Sequence, residues 1–470
     1  MDQSTGATAL ISHRMLAVGI DAAEPELVRA LIKRGQLPTL QRLLEEGVWC
    51  RVESPAKIGS GTVWPTFMTG SDPQRHGIYS EWSWEPEEMA VRRYTGRGLT
   101  PFWKLAAGEG RSVGVLDVPF APFQGLREGF EISEWGAHDQ LEGRTRAAPS
   151  SLAENIPIHP FSEDRFDMAA CISGAKMRGI LAARLLRERH PELAVIVFTE
   201  MHRAAHRSWG DPSVVELMRE IDAQIAALID AAGADAAVLI FSLHGMRPAR
   251  GLTKILDALL IEHGFARLSG WSSQSWRERL LSLFAAAKRR APAVLKMLYR
   301  KTVPRSAAHR LAQPTMIPQY DWSATRAFSL PTDQHGWIRI NLLGREAKGL
   351  VTPRDYEQTC SDLEILLRDL QDKDGHSMVQ DILRTSTNAQ DALSQRLPDL
   401  VVHWTDAAPA THPAGKVLKG QHAPDGFVIA RGVDVVADAV QAKDLHRLIL
   451  NSTPHVRTAT QVTSELIFDE

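Results

Sequence analysis

The 470-residue chain has only three cysteines, Cys50, Cys171 and Cys360, far apart and without a Cys-x-x-Cys spacing. That excludes a disulfide framework and a cysteine-ligated metal site, so any metal must be held by histidine and carboxylate. Long apolar runs are missing too. Residues 236–241 form one of the longest and fall far short of the ~20 a spanning helix needs. The first residues, Met1 to Gly6, are polar and show no basic stretch leading into an apolar one. The sequence therefore predicts a soluble, cytoplasmic protein with no membrane partner. Charge of one sign is also lacking: 54 Lys+Arg against 56 Asp+Glu leaves a net −2. No global field gathers polymeric nucleic acid. What remains, 44% hydrophobic and 23% charged, is the composition of a folded globular chain.

Four apolar runs carry the pattern of strands buried on both faces, without polar alternation. Residues 15–20 end in Asp21, residues 113–116 in Asp117, residues 194–198 in Thr199, Glu200 and His202, and residues 236–241 in Ser242 and His244. Helical spacing follows the first run from Pro25 to Ile32 and again from Leu37 to Glu46. A single carboxylate after a strand is often a helix cap. Four such ends favour the carboxyl edge of one sheet, where open α/β folds bind ligands. Strand-like chain returns at residues 336–342 and 398–404, whereas residues 277–300 are helical and basic. That stretch is either the solvated face of a cap or an anion-attracting lid.

His202 and His206 are four apart, which on a helix brings both imidazoles to one face. His244 directly follows a buried run, and His422 sits in the tight polar loop 420–426. Ser60 lies between Gly59 and Gly61, ahead of an apolar helical stretch with Trp64, Phe67 and Met68. Such a turn presents either a nucleophilic hydroxyl or an ordinary helix cap by Ser60 or Thr62. A serine needs a base or a metal to attack at neutral pH. No Gly-x-Ser-x-Gly elbow surrounds Ser60, so a metal held by Asp21, His202, His206, His244 and His422 is the better activator.

The motifs also recur in a specific order: Val18-Gly19-Ile20-Asp21, Leu37-Pro38-Thr39-Leu40, Ser60 before Phe67-Met68-Thr69-Gly70, and Asp72-Pro73-Gln74-Arg75-His76-Gly77. Residues 113–119, His206 with Trp209, His244-Gly245-Met246, residues 336–346 and His422-Ala423-Pro424-Asp425-Gly426 complete the set. In this order the chain resembles the type I phosphodiesterase / nucleotide pyrophosphatase family of the alkaline phosphatase superfamily. The resemblance implies a mostly parallel central β-sheet flanked by helices, with an inserted helical cap. Domain bounds follow as 12–255 and 326–455 for the two parts of the α/β core, 256–325 for the cap and 456–470 for a tail. It also implies zinc, one or two ions, with manganese or iron as alternatives. Asp21 and His244 would hold the nucleophile-side ion, His206 and His422 the other, Ser60 would be the nucleophile, and His76 would brace its helix.

Two departures from the family pattern matter. Relatives usually have Asp where this chain has Leu243, and Asp again where it has His202. Leucine coordinates nothing, so the nucleophile-side ion is expected to be weak or absent unless Glu200 turns inward as a replacement ligand. Fewer positive charges suit a substrate with one negative charge. The expected activity is therefore metal-dependent hydrolysis of phosphodiester-type small molecules through a covalent phospho-serine. Thr62, Asp333 and His335 are candidate substrate-binding residues. A sulfate- or phosphonate-ester hydrolase is the alternative, although Ser60 lacks the Pro and Arg of a formylglycine sulfatase motif. Group transfer and non-catalytic binding stay open because of Leu243, as does a homo-oligomer.

Overall fold

The computed structural model of the chain describes residues 14–451 except 97, 138–140, 161–165, 251–252, 271–315, 332–333, 411–417 and 436–437. The basic stretch 277–300 and the tail 456–470 therefore lie outside the described residues. A nine-stranded sheet forms the centre, built from β1 (Met15–Ile20), β2 (Val48–Glu53), β5 (Val113–Leu116), β6 (Gly129–Ser133), β7 (Arg146–Ala148), β8 (Leu193–Phe198), β9 (Ala237–Ser242), β16 (Asp425–Arg431) and β17 (Ala439–Gln441). Its order is β17-β2-β16-β9-β1-β8-β5-β6-β7. β9, β1, β8, β5 and β6 are mutually parallel, whereas β16 runs antiparallel to β9 and β2, and β7 antiparallel to β6. The four strands expected to end in chemistry are thus adjacent.

Those strands are apolar throughout because both faces are covered. Leu16, Val18 and Ile20 of β1 join Ile196, Phe198 and Ile240 in one apolar cluster. α1 (Pro25–Lys33), α2 (Pro38–Glu46), α6 (Met168–Arg189) and α8 (Pro212–Ala232) supply its other side. Met15 and Ala17 point the opposite way, with Val195, Val197, Leu239 and Phe241. They meet Trp64, Phe67 and Met68 of α3 (Val63–Thr69) and Phe102 and Trp103 of α5 (Phe102–Gly108). Period-two alternation therefore divides one sequence run between two cores.

The strands predicted at 336–342 and 398–404 do not join this sheet. β11 (Ala327–Leu330), β12 (Gly336–Ile340), β13 (Val379–Arg384) and β14 (Leu400–Trp404) make a separate antiparallel sheet in the order β11-β12-β14-β13. Leu256 and Leu260 of α9 (Leu256–Glu262), together with Tyr356, Leu363 and Leu367, cover it. A buried charge network pins this sheet. Arg345 pairs with Asp399 at 2.7 Å and Arg339 with Glu346 at 2.8 Å, while Tyr356 donates to Asp399 at 2.8 Å. Among the described residues there are also two short ribbons: β3 (Trp82–Glu85) with β4 (Ala90–Arg93), and β10 (Gly245–Pro248) with β15 (Gly420–Ala423). The second ribbon sets Met246 opposite His422 and so brings the late His422 loop to the edge where β9 ends.

Candidate metal centre and active-site pocket

Register fixes the geometry. Ile20 lies beside Phe198 and Gly19 beside Phe241, so the chain leaves β1, β8 and β9 at one level. Asp21 follows β1, His244 follows β9, and β8 leads into α7 (Glu200–Ser208), which carries His202 and His206 one turn apart. β15 is tied to α7 by the Lys419 N–H donating to the His206 carbonyl at 2.7 Å, and it delivers His422.

Three imidazole nitrogens converge there. His202 Nε2 is 3.0 Å from His206 Nε2, which is 3.0 Å from His422 Nε2, and His422 Nε2 is 3.2 Å from His202 Nε2. The outer ring atoms show which protons are present. His202 Nδ1 faces Asp21 Oδ2 at 2.9 Å and His206 Nδ1 faces the Gly420 carbonyl at 2.9 Å. Both partners only accept, so both Nδ1 atoms carry the hydrogen and the neutral rings present bare Nε2 lone pairs to the centre. Burial, and then the neighbouring His206, His244 and His202, drive His422 well below the usual imidazole range, which keeps its ring neutral. Lone pairs held this close repel one another unless a cation lies between them. A tetrahedral ion with Zn–N bonds of about 2.0–2.1 Å separates its nitrogens by roughly 3.3 Å, near what is found. The residues fit a divalent metal.

A second group of ligand-type atoms comprises Asp21, His202 and His244. Here Asp21 Oδ1 accepts from Trp64 Nε1 at 3.1 Å and stands 3.5 Å from His244 Nε2, while His244 Nδ1 donates to the Gly245 carbonyl at 3.1 Å. Leu243 is fully buried in the apolar cluster around Trp64 and Phe241.

Ser60 opens the short 3-10 turn Ser60–Thr62 that runs into α3. The turn is pressed against its surroundings. A Cβ on Gly61 would lie 2.7 Å from the Tyr79 carbonyl, and one on Gly59 2.7 Å from the Trp337 ring, so only glycine lets Ser60 sit here. His76, which ends the short α4 (Pro73–His76), braces the helix behind it. Its Nδ1 accepts from the Ile78 N–H at 3.0 Å, which leaves Nε2–H to donate to Thr66 Oγ1 at 3.0 Å. Ser60 lines a cavity of about 370 Å³ together with His202, His206, His244 and His422. Tyr79, Trp82, Phe120 and Trp337 form apolar walls, and the exposed Lys254 stands at its rim.

Three sequence expectations are corrected. Glu200 does not repair the ligand set: its carboxylate accepts from Arg178 at 2.8 Å and meets His159 Nε2 at 3.0 Å. Two residues along a helix rotate the side chain about 200°, so Glu200 points away from the face His202 shares with His206. Burial alone would raise its pKa, but Arg178 and His159 hold it down at about 2. Thr62 is wholly buried and donates its hydroxyl to the Gly59 carbonyl at 2.6 Å, so it is a turn residue with no access to substrate. His335 is buried against the His403 ring at a centroid distance of 4.7 Å and is not among the described residues that line the cavity, and burial brings its pKa to about 3. Asp333 lies outside the described residues. Conversely, Trp64, Lys254 and the aromatic walls were not singled out for the site. Only Trp64, four residues beyond Ser60, carried a positional hint.

Among the described residues, no helix is long and apolar enough to cross a membrane. Comparison with curated proteins returns no match. Among solved structures the chain is similar to phosphonoacetate hydrolase from Sinorhizobium meliloti 1021 in complex with phosphonoacetate. The identity is 16%, the TM-score 0.59, and 94% of this chain and 96% of that chain are covered. It is also similar to human ectonucleotide pyrophosphatase / phosphodiesterase 5, with 11% identity, a TM-score of 0.49, and coverage of 93% and 94%. A family model described as type I phosphodiesterase / nucleotide pyrophosphatase matches residues 15–425. With most of its length matched, the chain belongs to the type I phosphodiesterase / nucleotide pyrophosphatase family of phosphoester hydrolases.

Proposed function

We propose that this protein hydrolyses phosphodiester-type small molecules with Ser60 as nucleophile and a divalent metal, zinc by ligand type, held by His202, His206 and His422. The observation that carries this reading is the triangle of bare Nε2 atoms at 3.0–3.2 Å on the floor of the cavity that Ser60 lines. A bound dication supplies Lewis-acid polarisation and charge neutralisation at the phosphoryl group. The chain's own residues do the rest. The glycine-flanked turn holds the Ser60 hydroxyl at the cavity, and α3, braced by His76, fixes its direction. As the Ser60 Oγ–P bond forms, the serine proton leaves and the bond to the first alcohol breaks, with that oxygen taking up a proton. Water then cleaves the phospho-serine and restores the hydroxyl.

Tyr79, Trp82, Phe120 and Trp337 exclude water and favour a bulky, flat or apolar leaving group. Lys254 adds one cation at the rim. With a single carboxylate, Asp21, among the ligand-type residues, the centre suits an ester bearing one negative charge. The test is turnover of bis(p-nitrophenyl) phosphate, p-nitrophenyl phenylphosphonate, p-nitrophenyl phosphate and p-nitrophenyl sulfate by the wild type and by Ser60→Ala. The diester or phosphonate should be preferred, and the variant should lose about 10³-fold or more in kcat. Preference for the monoester, or undiminished turnover by Ser60→Ala, would refute the reading.

A further inference from the structure

We propose that the protein holds one divalent ion per chain, on Nε2 of His202, His206 and His422, and that Asp21 is a positioning residue for His202 instead of a ligand for a second ion. This rests on the metallohydrolase reading above but is narrower. The family resemblance leaves one or two ions open, and three features of this chain point to one.

The first is what Asp21 does with its oxygens. Oδ2 takes the His202 Nδ1 proton at 2.9 Å and Oδ1 takes the Trp64 indole proton at 3.1 Å. A carboxylate behind an imidazole fixes its tautomer and raises the basicity of the far nitrogen, which is the usual outer support of a metal-bound histidine. With histidine at position 202, the ring needs such an acceptor, and Asp21 is the residue in reach.

The second is the donor set around Asp21. Of the three ligand-type residues in the second group, His202 already turns its Nε2 to the first centre and its Nδ1–H to Asp21, so a second ion would find one carboxylate shared by two N–H donors, one ring nitrogen from His244 and the hydrocarbon of Leu243, which belongs to the apolar cluster with Trp64, Phe67 and Phe241. That is short of the three protein ligands a catalytic zinc site ordinarily has.

The third is charge. Asp21, His202, His244 and His422 are all buried, and Asp21 is the only acid among the five convergent residues. Glu200 is neutralised by Arg178 and contributes nothing here. Two dications against one carboxylate leave three uncompensated positive charges, whereas one dication leaves one. Buried charge without compensation is strongly disfavoured.

The experiment is zinc binding by equilibrium dialysis of chelator-stripped full-length protein, read as zinc per chain, with bis(p-nitrophenyl) phosphate turnover followed on the same samples. The wild type should saturate at one ion and His206→Ala should retain none. Asp21→Asn should keep one ion at roughly 10–100-fold weaker affinity, because its effect passes through His202. His244→Ala should keep one ion with affinity changed less than about threefold, and it decides the matter should Asp21→Asn fold poorly. Two ions in the wild type, falling to one in Asp21→Asn or His244→Ala, would overturn the inference, as would no ion at all. Two ions with turnover would leave the hydrolase reading standing, whereas one ion without turnover would do the reverse.

Discussion

Replacing Glu200 by glutamine separates a structural carboxylate from a ligand. In the fold it is buried with Arg178 on one side and His159 on the other, and Arg178 also reaches Asp117 at 2.9 Å. The carboxyl is held at about 2, against an ordinary 4.5. At about 1.4 kcal/mol per pKa unit, that difference corresponds to about 3 kcal/mol of stability. Breaking one partner of a buried pair costs about 3–5 kcal/mol, in agreement. Glu200→Gln should therefore lower the denaturant midpoint at pH 7 by that amount with an unchanged slope, while zinc per chain stays at the wild-type value. The gap between the two proteins should be complete above about pH 5 and close as the pH falls toward 2, because a depressed carboxyl loses its contribution on protonation. Loss of bound zinc with an unshifted midpoint would refute the reasoning and return Glu200 to the ligand set.

Asp399→Asn weakens the carboxylate that Arg345 and Tyr356 share, so a fall of about 3–5 kcal/mol in stability is expected by chemical denaturation, with zinc content unchanged. Gly61→Ala forces a Cβ to within 2.8 Å of Ser80 backbone; the resulting shift of Ser60 should cut kcat at least about tenfold with little change in KM. His76→Ala removes two hydrogen bonds behind α3 and should cost about 1–3 kcal/mol, read from the unfolding midpoint. Burial holds His76 at about 4, below its ordinary 6.5, so its contribution is complete above about pH 6.5 and is lost as the pH falls toward 4.

The central strands were legible because burial on both faces leaves unbroken apolar runs; of their polar endings, Asp21, His202 and His244 converge, whereas Asp117 and Glu200 hold Arg178. His202 and His206 were legible as a helical pair, whereas His422 and Ser60 needed the order of motifs, since nothing local distinguishes either from a loop histidine or a helix cap. The separate sheet was not legible. β12 and β14 read as buried strands, but partner choice depends on register and on the Arg345–Asp399 pairing across 54 residues. Glu200 was misplaced for a reason that helix geometry already contains: a side chain two residues from His202 faces the other way. Its partner Arg178, 22 residues upstream on α6, gave no local sign.

The most direct test of the proposed metal dependence is bis(p-nitrophenyl) phosphate turnover before chelation, after removal of all bound metal, and after restoring zinc. Activity that disappears with the metal and returns with it is the predicted result. Turnover undiminished in the metal-free protein would contradict it.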